Sequence, residues 1–96
     1  MTTHRHLLIV VDYVPADVLA KTQSTIVDSA CAWWHFFSNV WIVCTTEPLA
    51  TWQTRASSLV AGHPAAHLLV LELQGHSPRN GLLPNDAWEW LNKHHL

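Results

Sequence analysis

The apolar positions of this 96-residue chain fall into two rhythms, and the switches between them outline a fold. Residues 6–13, HLLIVVDY, form an unbroken aliphatic run that predicts a central strand buried on both faces. Pro15 suits the opening turn of a helix. Leu19, Thr22, Ile26 and Ala30 then recur at helical spacing, which predicts a helix running to about residue 32 with those residues as its buried stripe. Residues 34–38 and 40–45 read as two strands joined by a tight turn at Ser38-Asn39. Thr46 is placed to cap a second helix, with Glu47 and Pro48 in its first turn. Leu49, Trp52, Ala56, Leu59 and Val60 line one side of that helix, and Gly62 and Pro64 end it. Residues 67–73, HLLVLEL, predict a fourth strand, followed by a polar loop from Gly75 to Gly81 with Pro78 and Asn80 as breakers. Asn85 is placed to cap a short last helix carrying Trp88, Trp90 and Leu91, with Leu83 stapling onto it.

That order, strand, helix, two strands, helix, strand and a terminal helix, is the split βαβ arrangement of an α+β, ferredoxin-like domain spanning residues 1–96. Right-handed crossovers set both main helices on one face of a four-stranded antiparallel sheet. The opposite face is left for a second copy of the chain or for the terminal helix.

Composition sharpens this expectation. Hydrophobic residues make up 49% of the chain and charged ones 12%, where about 25% charged is usual. With so little charge, either the surface is unusually rich in Ser, Thr, His, Asn and Gln or part of it is buried in a homodimer or higher oligomer. The limited size of apolar patches on monomers favours the second. The net charge of −2, with Arg5, Lys21, Arg55, Arg79 and Lys93 scattered, counts against duplex DNA as a partner. A small anion needs only two or three cations and remains compatible. Cys31 and Cys44 form no Cys-x-x-Cys pair, the N-terminus is polar, and no apolar run reaches membrane length. The expectation is reduced thiols, a cytoplasmic location and no membrane association.

The candidate chemistry concentrates in residues 33–41, WWHFFSNVW, which hold five of the nine aromatic residues. Flat rings stack on nucleobases, at about 1–3 kcal/mol per base. Trp33, Trp34, His35 and Trp41, with Tyr13, are the candidate stacking residues, each with core packing as its alternative. Arg5, Arg55 and Arg79 are the candidate phosphate ligands, because a guanidinium matches phosphate bidentately. Asp12 ends the first strand and reads either as a metal ligand or as an Asx-type turn residue before Pro15. Asp17 is its nearest supplement. His4 and His6 alternate along a strand and could chelate a metal, although spacing suggests no third ligand, and His94-His95 read as solvated. No phosphate loop, zinc-protease motif or nucleophile triad is present in the sequence.

The run Val10-Val11-Asp12-Tyr13-Val14-Pro15 resembles the first-strand ending of the small CRISPR adaptation nuclease superfamily, whose members are ferredoxin-like dimers. Phe37-Ser38-Asn39-Val40-Trp41 resembles its second signature. The segment WWHFFSNVWIV and the ending from Leu83 to Leu91 look closer still to the SinR-like and VapD-like members. The resemblance implies a homodimer with Asp12 of each copy at a shared cleft, where paired carboxylates would hold Mg or Mn for phosphodiester cleavage. Three readings follow. The first is a homodimer that binds a nucleotide-like ligand, cyclic or a short oligonucleotide, at the subunit junction, sequestering a signalling nucleotide without needing a cofactor. The second is a metal-dependent endonuclease using Asp12. The third is a non-catalytic adaptor dimer whose rings fill an interface.

Overall fold

A computed structural model describes residues 3–76 and 78–96. Its elements are β1 (Arg5–Asp12), α1 (Ala16–Ser29), β2 (Ala32–Phe37), β3 (Val40–Thr45), α2 (Leu49–Val60), β4 (His67–Leu73) and α3 (Asn85–Lys93). The strands form one sheet in the order β2-β3-β1-β4, with every pairing antiparallel. This is the expected ferredoxin-like α+β arrangement with an added C-terminal helix.

Strand register decides which residues share a face. Leu7 lies opposite Val43 and Ile9 opposite Trp41, so these side chains point together toward α1 and α2. They form the main core with Val11, Ile26 and Trp52. Leu8 lies opposite Ile42, and Trp34 opposite Ile42 from the other side, so these point to the second face. There Ala87, Leu91 and Leu96 close over them. The terminal helix thus covers part of the face that the sequence left open. β1 is therefore not equally buried on both sides: its residues alternate between full and partial burial.

Each helix starts directly after a proline. Pro15, Pro48 and Pro84 hold φ near −60° (−63°, −63° and −58°), and none of the three starts carries a side-chain cap. Instead the proline carbonyls accept the N–H groups of Val18, Thr51 and Ala87 at 3.0, 3.1 and 3.1 Å. The ring fixes the entry angle, and the carbonyl takes one of the first-turn N–H groups that a side-chain cap would otherwise accept. This corrects the expected caps: neither Thr46 nor Asn85 takes that role. The neighbouring Thr45 is the working hydroxyl, accepting from the Glu47 N–H and from Trp52 Nε1, each at 3.0 Å.

The first helix stops at Ser29, short of residue 32, because Ala30 turns extended and the Cys31 N–H donates to the Cys44 carbonyl at 2.9 Å. Its buried stripe is Val18, Thr22 and Ile26, while Leu19 and Ala30 sit at the margin. Thr22 is accommodated because its hydroxyl donates to the Val18 carbonyl at 2.8 Å.

Candidate functional site

The five rings of residues 33–41 do not converge on one pocket, because strand alternation sends neighbours to opposite faces. Trp41 is 1% exposed in the main core, and its Nε1 donates to Gln23 Oε1 at 2.7 Å. The His35 ring stacks on it, centroids 4.3 Å apart and planes 1° apart, while His35 Nδ1 lies 3.0 Å from the Val40 carbonyl. Trp34 points the other way, 4% exposed, and donates to the Ala87 carbonyl of α3 at 3.2 Å. Both indole N–H groups are therefore satisfied inside the chain. Trp33 and Phe37 are left exposed on the edge strand β2.

The arginines also find partners within the chain. Arg55 grips Glu47 bidentately, both bonds at 3.0 Å, and lies over the Trp52 ring. The hydrogen bonds to Arg55 hold the Glu47 carboxyl below its ordinary range. Arg79 donates to the Leu96 carbonyl and to Asn92 Oδ1, and its guanidinium lies over Trp88. Arg5 pairs with Glu72 at 3.3 Å on the surface.

A different group assembles at the tip of β1. The strand ends at Asp12, and Tyr13 follows with φ of 58°, in the left-handed region. A bulky residue held there costs about 1–2 kcal/mol, and such strain collects at functional positions. Asp12 Oδ1 accepts the Tyr13 N–H at 2.8 Å, which fixes the bend. The Tyr13 ring stays 65% exposed. It stands against His67, with centroids 4.5 Å apart and planes at 65°. His67 arrives there because the first residue of β4 pairs with Asp12, the last of β1. An exposed phenol, an imidazole and an exposed carboxylate thus share one corner of the sheet. Sequence reading singled out Asp12 and Tyr13 but not His67. Antiparallel pairing between the end of β1 and the start of β4 was the signal that could have found it.

A second polar group lies on the α3 face. His6 and Cys44 are directly opposed on β1 and β3, and His94, just beyond α3, closes over them. His6 Nε2 and His94 Nδ1 are 2.9 Å apart. Burial lowers the pKa of both imidazoles, and the neighbouring histidines lower it further, His4 acting on each and His6 on His94; Lys93 and His95 add to the shift at His94. Burial, and after it Cys31, raises that of the Cys44 thiol. The expected pair of His4 and His6 therefore contributes His6 to a cluster with partners remote in sequence, and His94 is half-buried rather than solvated.

No family model matches the chain. No curated protein and no solved structure matches it either. The chain's own geometry carries the functional reading. No helix among the described residues is long and apolar enough to cross a membrane.

Proposed function

We propose that this chain is a small homodimeric binding module that takes a nucleotide-like ligand at the β1 tip, beside the junction between subunits. The observation that carries the reading is Tyr13: a large ring held in a strained backbone conformation, mostly exposed, beside an exposed carboxylate. A core role would have turned the ring inward. A base stacks on the Tyr13 ring, its N–H edge donates to Asp12, and His67 supplies a donor to the sugar or phosphate. Because Arg5, Arg55 and Arg79 are engaged by groups of the chain itself, a ligand with few phosphates suits the site better than a polymer. Binding of this kind needs no cofactor and fits sequestration of a signalling nucleotide.

The dimer reading rests on the two sheet edges. The pairing of β2 is interrupted by an irregularity between Trp34 and Phe37, a device that discourages edge pairing. β4 pairs in unbroken register from His67 to Leu73 on its inner side, and Leu69 is 48% exposed. A second copy adding antiparallel along β4 pairs its free edge, draws in Leu69 and sets each Tyr13 corner at the rim of the junction. It also holds the two Asp12 carboxylates at opposite ends of the joined sheet, which favours separate binding sites over a shared metal-dependent nuclease centre.

Calorimetric titration with purine and pyrimidine mononucleotides, dinucleotides and cyclic nucleotides tests the reading. A ligand should bind the native chain and lose most of its affinity in Tyr13→Ala and Asp12→Asn. Absence of binding across the panel would contradict it. Cleavage of labelled RNA or DNA with Mg²⁺ or Mn²⁺, abolished by Asp12→Asn, would establish the nuclease reading instead.

A further inference from the structure

We propose that His6, Cys44 and His94 form a site for a zinc-class divalent cation, independent of the Tyr13 corner. Their ligand atoms all lie within 4.8 Å of one another. The residues come from three separate parts of the fold, and each is positioned for its own reason. Register sets His6 and Cys44 side by side across β1 and β3. Cys44 is buried, 5% exposed, on the face that α3 covers. His94 is fixed by stacking on Trp90, with centroids 3.8 Å apart and planes 16° apart. Its backbone N–H donates to the Trp90 carbonyl at 3.1 Å, and the Leu96 N–H donates to the Leu91 carbonyl at 2.9 Å, so the chain end is folded back onto the helix. Arg79 adds a clamp through the Leu96 carbonyl and Asn92.

The donor set is two imidazole nitrogens and one sulfur. That combination suits zinc and its soft neighbours rather than magnesium or calcium, which take oxygen ligands. Tetrahedral zinc, with Zn–N of about 2.0–2.1 Å, sets two ligand nitrogens about 3.3 Å apart. The two imidazole nitrogens here are 2.9 Å apart and aimed at each other, and the Cys44 sulfur lies within 4.8 Å of both. The rings must therefore part by a few tenths of an ångström and turn toward the ion, while the sulfur closes to about 3.6 Å from each nitrogen. Binding exchanges the His6–His94 hydrogen bond for two metal–nitrogen bonds and releases the thiol proton of Cys44 to solvent. The fourth position remains for water. The cation would tie α3 to β1 and β3, on the face that its short helix covers only in part.

The test uses the untagged full chain, stripped with chelator and titrated with Co²⁺ as a spectroscopic stand-in for zinc. One ion per chain should bind with tetrahedral ligand-field bands and a thiolate-to-cobalt charge-transfer band. Zn²⁺ should displace it and raise the melting temperature by at least about 5 °C, because the ion binds only the folded chain. Cys44→Ser should abolish the charge-transfer band, and His94→Gln should weaken binding at least about tenfold. If the serine variant fails to fold, His94→Gln, at the chain end, carries the test alone. A cobalt spectrum without the charge-transfer band, or affinity unchanged in His94→Gln, would overturn the site. Nucleotide binding at Tyr13 is read separately and does not depend on the result.

Discussion

The two faces of the sheet are closed in different ways. Under α1 and α2, the residues Leu7, Ile9, Val11, Ile26, Trp41, Val43 and Trp52 are each 2% exposed or less. Under α3, Ala87 is fully buried but Trp34, Ile42, Leu91 and Leu96 keep 4–7% exposure. Partly buried residues flank both clusters, Leu68 and Val70 on the first face and Leu8, Val40 and Leu73 on the second. Helices of 14 and 12 residues cover the first face, while one of 9 residues covers the second. The first face is a dry core that holds the fold. The second leaves Leu69 exposed and admits polar chemistry at His6, Cys44 and His94.

The contrast predicts unequal costs. Trp41→Ala should destabilise the chain by about 3–5 kcal/mol, since it opens a cavity in the closed core and strips Gln23 of its indole donor. Leu91→Ala should cost about 2 kcal/mol, the low end for such a truncation, because a short helix can settle into the space. Urea unfolding of both variants measures the difference. Equal costs would mean that the α3 face is as essential to the fold as the other.

Legibility in the sequence follows the same division. The order of elements was readable because each strand is a compact apolar run and a proline precedes each helix. Thr46 and Asn85 have the chemistry of caps, yet Pro48 and Pro84 set the entry geometry of their helices, which residue type alone does not reveal. The rings of residues 33–41 looked like one surface because they are contiguous. Strand alternation separates Trp34 from Trp41, and only register reveals that. Asp12 and Tyr13 stood out by position. The partnership of Tyr13 with His67, and that of His6 with Cys44 and His94, depends on pairing between distant segments and on where the chain end folds.

The exposed Leu69 gives the next effect, on assembly rather than on folding. Leu69→Lys should change the stability of the isolated fold by less than about 0.5 kcal/mol, as for other exposed positions. It should also convert a dimer into a monomer in light scattering. A native chain that is already monomeric at high concentration would remove the β4 junction from the proposal.

The smallest effect is at the Glu47–Arg55 pair, which flanks the closed core. Its side chains are 35% and 27% exposed, so solvent screening holds its worth below about 1 kcal/mol. The Glu47 pKa is lowered in the folded chain. Its contribution is therefore complete above the unfolded value of about 4.3 and fades as pH falls through the lower folded value. Glu47→Gln should be slightly less stable than the native chain at pH 7 and indistinguishable from it in strong acid, read by urea unfolding at each pH.

The decisive comparison is thermal unfolding of Tyr13→Asn against the native chain, with and without the best nucleotide of the panel. Asparagine accepts the left-handed conformation with little strain. If the Tyr13 ring is held out for a ligand, the variant melts at the same temperature or higher and no longer responds to the nucleotide. A variant that melts lower, yet still gains stability from the nucleotide, would show that the ring serves the fold and that the ligand binds elsewhere.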